Sequence, residues 1–399
     1  MAAEIGSVIV VGASVSGLHV VEQLRAGGFS GAITLVGAEK HLPYDRPPLS
    51  KQLLVGTRTR EDITFRTQDL LDELEVSLHL GLPAIAWDGT VLTLADGSML
   101  TGDRLIVATG VAPRTLPGQP EHPSIGTLRT LDDAEWLAGR LALGGAVAVV
   151  GGGFIGAEVA SSARQVGCSV VMFEATELPL QRVLGSDAAA LVSDVLVQAG
   201  VEYRGGATVT GLVPDGDGVR IELAGGGGAR VDTVVVGIGS MPQSAWLGLD
   251  GPAGVPCDVR GRAVGIPNAY AVGDVAAWPD PESGAPQRVE HWTSARAQAA
   301  AIAADIVGQA AVPAEPEYFW TDQFGLKIQI VGRPDRADRS VVVRPQDGGV
   351  KKSVVLYLRG DTLVGCALFS AGRLLARFTE LVRDGAGEAV ALDVLEEVR

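Results

Sequence analysis

Two short runs in this chain combine the residue types that let a backbone approach a phosphate: Val8-Ile9-Val10-Val11-Gly12-Ala13-Ser14-Val15-Ser16-Gly17 and Val147-Ala148-Val149-Val150-Gly151-Gly152-Gly153-Phe154-Ile155-Gly156. In each, a β-branched run breaks at a glycine, where the missing Cβ permits a sharp turn. A helical pattern follows, whose first N–H groups and positive dipole end suit a pyrophosphate. An acid completes each unit. Glu39 lies 22 residues past Gly17 and Glu174 lies 18 past Gly156, each after the next apolar run, where a carboxylate can accept from ribose hydroxyls. Glycine makes up 53 of 399 residues, so three glycines at fixed offsets recur by chance at roughly 0.2% of positions, and the flanking strand, helix and acid must carry the reading. Two such units imply two dinucleotides. They are unequal: Ser14 stands where the second turn has Gly153, adding a Cβ and a hydroxyl beside the phosphates. At the second turn Glu174 is followed by Ala175 and Thr176 rather than arginine, and a carboxylate repels a 2′-phosphate, so NADH is expected there over NADPH.

Positioning these residues requires parallel-sheet units. The first reads strand, glycine turn, helix (Leu18 to Leu24 giving its apolar face), then a strand over 32–36; the second reads strand 146–150, helix 154–166, strand 169–173. Between them, residues 76–100 alternate in short strands with turns at Trp87-Asp88-Gly89-Thr90 and Ala95-Asp96-Gly97-Ser98. Buried strands are expected at 104–110, 231–238 and 269–274, and an alanine-rich helix at 293–308. After Pro313 and Pro316 the character changes to strands at 326–331, 340–344, 353–358 and 362–368 with a short helix near 373–383, a third domain. The chain is long enough for two or three domains at about 150 residues each.

Composition narrows the function classes. A net charge of −15 disfavours nucleic acid and anionic membrane surfaces as main partners. The apolar runs are strand-length, so no membrane span is expected, and the absence of a basic leader makes a cytoplasmic location the default. Cys168, Cys257 and Cys366 have neither C-x-x-C nor metal-knuckle spacing, and three thiols cannot hold a four-thiolate iron–sulfur cluster. The histidines at 19, 41, 79, 122 and 291 show no metal-ligand or triad spacing, so no metal is expected.

Several runs occur in one order: Pro43-Tyr44-Asp45-Arg46-Pro47-Pro48-Leu49-Ser50-Lys51, Ala108-Thr109-Gly110, the stretch from Gly151 to Glu158, Gly237-Ile238-Gly239, Val272-Gly273-Asp274, Glu290-His291-Trp292 and Trp320-Thr321-Asp322-Gln323. Together they resemble the FAD-dependent NADH:ferredoxin reductases that serve cytochrome P450 and Rieske oxygenase systems, over nearly the whole chain. The resemblance implies an α/β architecture of two Rossmann-like, glutathione-reductase-like dinucleotide-binding domains plus a C-terminal α+β domain. Its boundaries would be 1–112 and 241–315 for FAD, 113–240 for NADH and 316–399 for a C-terminal interface domain.

By the same resemblance FAD falls on Gly12, Ser14, Ser16, Gly17, Glu39, Arg46, Lys51, Ala84, Ala108, Thr109, Gly110, Arg129, Gly273, Asp274, Glu290, His291, Trp292 and Trp320, and NADH on Gly151, Gly153, Phe154, Ile155, Gly156, Glu158, Glu174 and Gly239. Ala38 departs from the family, where an acid often stands, which leaves the ribose contact to Glu39. Lys51 is expected beside the flavin with Glu158 as its ion-pair partner, the two residues nearest the chemistry. The implied partner is a small iron–sulfur ferredoxin, with the chain a monomer or weak homodimer. Arg58, Arg60, Arg66, Arg333, Arg336 and Arg339 are candidates for an acidic partner's docking patch. Two other readings stay open: a flavin disulfide or peroxide reductase, which needs a cysteine near the flavin, and an NADH-sensing interaction protein resembling apoptosis-inducing factor.

Overall fold

The computed structural model describes residues 5–310 and 315–396. The chain divides into two compact units, the first of residues 1–45, 61–112 and 240–314 and the second of 46–60, 113–239 and 315–399.

The first unit is built on a five-stranded parallel sheet in the order Ala269–Ala271, Arg104–Val107, Ser7–Val11, Ala32–Gly37, Val76–Leu80. Its central strand is apolar from Val8 to Val11 because both faces are covered there. Val8 and Val10 pack with Val20, Val21 and Leu24 of the helix Val15–Ala26 and with Ala299, Ile302 and Ala303 of the helix Trp292–Val307. Ile9 and Val11 face the opposite cluster with Leu92, Leu94, Leu105 and Val107. Leu92 and Leu94 come from a small antiparallel sheet, Ala84–Trp87, Val91–Leu94 and Met99–Thr101. Its turns form where the Asp-Gly pairs sit: Asp88 Oδ1 accepts from the N–H of Thr90 at 2.9 Å and Val91 at 2.7 Å, and Asp96 Oδ1 from that of Ser98 at 2.9 Å.

The second unit holds another five-stranded parallel sheet, in the order Glu202–Arg204, Ser169–Phe173, Ala146–Val150, Thr233–Val236, Ile125–Gly126. A five-stranded antiparallel sheet follows, Tyr318–Gln323, Leu326–Gly332, Thr362–Phe369, Val354–Arg359, Arg339–Val343. One face packs under the helices Leu375–Arg383 and Glu388–Glu396 through Phe378, Leu381, Ala391 and Val394. The other meets Leu184, Ala188, Leu191 and Val192 of the helix Gln181–Gln198. The C-terminal sheet and the second parallel sheet's helices therefore share one core.

Three differences from the sequence reading have local causes. The apolar run 231–238 is two strands, Gly228–Val231 and Thr233–Val236, separated at Asp232, whose Oδ2 accepts from the N–H of Ala146 at 2.7 Å. The run 269–274 is a strand only to Ala271, then a 3₁₀ turn Gly273–Val275 opened by Gly273 at φ +75°. The third is the helix Leu131–Ala142, not among the expected elements, which begins at a side-chain cap. Thr130 Oγ1 accepts from the N–H of Asp133 at 3.1 Å while Asp133 Oδ2 accepts from that of Thr130 at 2.9 Å, a reciprocal cap. Among the described residues no helix is long and apolar enough to cross a membrane, and no group of three or more metal-ligating side chains gathers.

Candidate functional site

The chemistry-bearing residues collect at the carboxyl ends of the two parallel sheets, where open α/β sheets bind ligands. In the second unit the strand Ala146–Val150 ends in Gly151 at φ +109°, where an added Cβ would lie 2.2 Å from the carbonyl oxygen of Gly237. A Cβ on Gly156 would lie 2.1 Å from the carbonyl oxygen of Gly151. Both are glycine because the fold leaves no room. Gly153, which caps the helix Phe154–Gln165, is different: its φ of −77° suits any residue and a Cβ there would meet no protein atom within 4 Å. Its bareness leaves the backbone N–H groups and the helix dipole open to a cleft of about 340 Å³. The first turn of the helix carries no acid to oppose an anion.

Glu174 lines this cleft, as do Phe154, Thr176, Arg182, Gly237, Ile238 and Gly239. Its carboxylate is held on both sides: Oε2 accepts from the N–H of Gly152 at 2.5 Å, and Oε1 from the N–H and hydroxyl of Thr176 at 2.9 and 3.1 Å. Thr176 is thus a positioning residue the sequence showed only as the absence of arginine. Phe154 packs edge-on against Phe319, ring centroids 5.3 Å apart, and Ile155 is outside the cleft lining and 44% exposed. Phosphate and ribose groups of a dinucleotide fit the bare Gly153 turn and the fixed carboxylate.

The first unit repeats the device. A Cβ on Gly12, at φ +122°, would lie 2.1 Å from the carbonyl oxygen of Ala108, and one on Gly17 2.0 Å from that of Gly12. Ser14 caps the helix Val15–Ala26 in extended conformation with no side-chain cap bond, and the first turn again lacks an acid. Around this turn stand Ala108, Thr109 and Gly110 after the strand Arg104–Val107, Glu39 after the strand Ala32–Gly37, and Gly273 and Asp274 after the strand Ala269–Ala271. Ser16 lies against Gly273, where a Cβ would come 2.4 Å from its Oγ. Glu39 accepts from the Tyr44 hydroxyl at 2.5 Å, and Thr109 Oγ1 donates to the carbonyl of Gln243 at 2.6 Å. Ala84 sits in the small antiparallel sheet. Glu290 accepts from Ser240 Oγ at 2.9 Å, His291 caps the helix Trp292–Val307, and Trp292 Nε1 donates to Asp45 Oδ1 at 3.2 Å.

A third feature lies within the second unit. Pro47–Ser50 forms a 3₁₀ turn with proline in its first positions, ending at Lys51. Lys51 Nζ reaches Glu158 Oε1 at 3.0 Å, as expected of the pair, and Glu158 is only 4% exposed. The same carboxylate accepts from Ser50 Oγ at 2.5 Å and from Thr321 Oγ1 at 2.6 Å, two partners not among the expected site residues. Arg46 Nη1 donates to the carbonyl of Arg129 at 3.4 Å. Along Tyr318–Gln323 the side chains alternate: Phe319, Thr321 and Gln323 are buried, whereas Trp320 is half-buried, near-parallel to Tyr318 at 5.9 Å and 5.8 Å from Lys327 Nζ.

Burial raises the Cys168 thiol and pushes Cys257 and Cys366 up to about 12, so none is a poised nucleophile. The arginine candidates for docking are largely committed within their own units: Arg60 to Glu135, Arg66 to Glu22, Arg333 to Glu317 and Asp335, and Arg339 to Glu388. They are a poorer acid-binding patch than their number suggested.

Comparison with known proteins agrees with this geometry. The pyridine nucleotide-disulphide oxidoreductase profile matches residues 6–299 and the reductase C-terminal profile residues 318–394. The ferredoxin–NAD(+) reductase component of the p-cumate 2,3-dioxygenase system of Pseudomonas putida is 34% identical over 383 residues, 94% of this chain and 93% of that protein. Rhodocoxin reductase of Rhodococcus erythropolis is 34% identical over 366 residues, 90% of this chain and 85% of that protein. The reductase in the crystal structure of the covalent putidaredoxin reductase–putidaredoxin complex superposes with a TM-score of 0.90 at 30% identity, covering 96% of this chain and 94% of that one.

Proposed function

Since this chain belongs to the pyridine nucleotide-disulphide oxidoreductase family and carries the reductase C-terminal domain as well, we propose that it is an FAD-dependent NADH:ferredoxin reductase. The observation that supports this most directly is the pair of glycine turns at the carboxyl ends of two separate parallel sheets, each with its own acid. A protein built for one dinucleotide needs only one.

In this reading residues 1–112 and 241–315 form the FAD domain, 113–240 the NADH domain and 316–399 the interface domain. FAD when bound supplies the redox chemistry, accepting a hydride from NADH and passing on single electrons. The protein's part is binding, orientation and electrostatics. The turn from Gly12 to Gly17 and the helix behind it hold the FAD pyrophosphate, Glu39 accepts from its ribose, and Asp274 stands at the end of a neighbouring strand. The turn from Gly151 to Gly156 holds the NADH pyrophosphate, and Glu174, fixed by Gly152 and Thr176, takes the ribose hydroxyls. Lys51, oriented by Glu158, offers positive charge where electrons arrive. No side-chain nucleophile is called for, and the buried thiols weigh against a disulfide or peroxide reductase.

The acceptor in this reading is a small iron–sulfur ferredoxin of a P450 or Rieske oxygenase system; relatives are named as ferredoxin reductases of a dioxygenase system and of the CYP199A2 system. Purified protein is expected to be yellow, with one FAD per chain, and to be bleached anaerobically by one equivalent of NADH and far more slowly by NADPH. Colourless protein that fails to take up FAD, or FAD that NADH leaves oxidised, would overturn the proposal.

A further inference from the structure

Glu158 receives more than its lysine. It projects from the helix Phe154–Gln165, the helix that starts at the second glycine turn, and four donors converge on it. Ser50 Oγ reaches Oε2 at 2.5 Å, while Lys51 Nζ at 3.0 Å, Thr321 Oγ1 at 2.6 Å and the N–H of Asp322 at 3.4 Å reach Oε1. Thr321 is wholly buried and Ser50 is 2% exposed, so water does not compete for either hydroxyl. Two serines on the same helix face extend the clamp, since positions three and four apart lie together. Ser162 Oγ donates to the carbonyl of Ser50 at 2.7 Å, and Ser161 Oγ accepts from the N–H of Phe324 at 2.7 Å. One buried carboxylate thus joins the proline-rich loop to the first strand of the C-terminal sheet.

We propose that Thr321, with Ser50, is a positioning residue that shares the charge of Glu158 with Lys51 and so sets how strongly the electron-accepting ring is favoured to take electrons. The inference rests on the reading that Lys51 stands beside a bound flavin. A hydroxyl donating to a carboxylate screens part of its negative field, and in a water-poor interior that screening reaches neighbouring groups. Without the Thr321 hydroxyl, more of the Glu158 field falls on Lys51, and less positive potential is left for arriving electrons. The same holds for Ser50. Removing the charge of Glu158 itself has the opposite sign.

The test is the midpoint potential of the bound flavin, read by anaerobic equilibrium titration of the FAD-loaded protein against a reference dye, with thermal stability measured alongside. Thr321→Val and Ser50→Ala are expected to lower the reduction equilibrium constant by about three- to tenfold, the transmitted share of a charged hydrogen bond. Thr321→Ser should restore it, and Glu158→Gln should raise it. Should Thr321→Val not fold, Ser50→Ala and Thr321→Cys carry the same sign test. Variants that lose thermal stability but keep the wild-type equilibrium, or that shift it in the direction of Glu158→Gln, would overturn the proposal. If neither Glu158→Gln nor Lys51→Met moves the equilibrium, the placement of Lys51 beside the flavin is wrong instead.

Discussion

Gly153 is the residue at which fold and ligand make separable demands. Gly151 is held at positive φ against a backbone carbonyl, so Gly151→Ala should destabilise the protein by at least about 2 kcal/mol. The Cβ that Gly153→Ala adds meets no protein atom within 4 Å, so the variant should melt near wild type while NADH binding, followed by flavin bleaching, weakens at least about tenfold. Equal loss of stability in both variants would show that the bare N–H groups serve packing alone. Glu174→Ala should narrow the preference for NADH over NADPH, read as the ratio of kcat/KM values, and an unchanged ratio would remove Glu174 from that role. At this scale the sequence was informative where chemistry demands a residue type at a fixed offset, as in the glycines and Glu174, whereas the Lys51–Glu158 pair, 107 residues apart, was expected only through the family resemblance. It was silent where a role arises from contact across more than a hundred residues, as with Thr321 and Ser50 around Glu158. Their hydroxyls follow no periodicity, and only folding brings them to one carboxylate.

Among the elements, the helix Trp292–Val307 shows how a tie at a helix end becomes a dependence on pH. Burial pushes the Asp305 carboxyl up, but hydrogen bonds from Tyr270, Arg262 and Arg260 outweigh it and hold the group below its ordinary value. A carboxyl depressed in the folded state contributes stability above its unfolded value, near pH 4, and loses it as pH falls further. Asp305→Asn should therefore cost about 1–2 kcal/mol at pH 7, with the difference from wild type shrinking toward pH 2, measured by denaturant unfolding. A difference independent of pH would mean that packing, not charge, holds the helix end. Strands flanking the glycine turns were legible because burial on both faces leaves a continuous apolar run. The helix Gln181–Gln198 was not: Gly185 breaks its backbone at φ +71°, and its apolar stripe answers to the C-terminal sheet, a partner more than a hundred residues away. Glu388–Glu396 escaped for a similar reason, its three buried residues fitting a cluster rather than a long stripe.

For the whole molecule, a net charge of −15 gives an acidic partner little general attraction, so recognition must come from a local surface. Pairing of Arg60, Arg66, Arg333 and Arg339 with acids of their own units removes much of the patch that residue counting suggested. Electron transfer to a ferredoxin should still fall with ionic strength more steeply than transfer to ferricyanide if any charged surface guides docking; equal slopes would exclude electrostatic guidance. The three thiols bear on the competing disulfide-reductase chemistry. Native protein at pH 8 should react with an aromatic disulfide reagent far more slowly than unfolded protein, in which all three become available, and one fast thiol would reopen that reading. In the proposed function, two dinucleotide sites serve to turn a hydride into single electrons for an iron–sulfur protein. The most direct test is anaerobic stopped-flow mixing of the NADH-reduced flavoprotein with a [2Fe–2S] ferredoxin, watching flavin and cluster absorbance together. Cluster bleaching and flavin reoxidation are expected to advance together, two ferredoxins per flavin and faster with more ferredoxin. Flavin that NADH bleaches but whose reoxidation ferredoxin does not accelerate would contradict it.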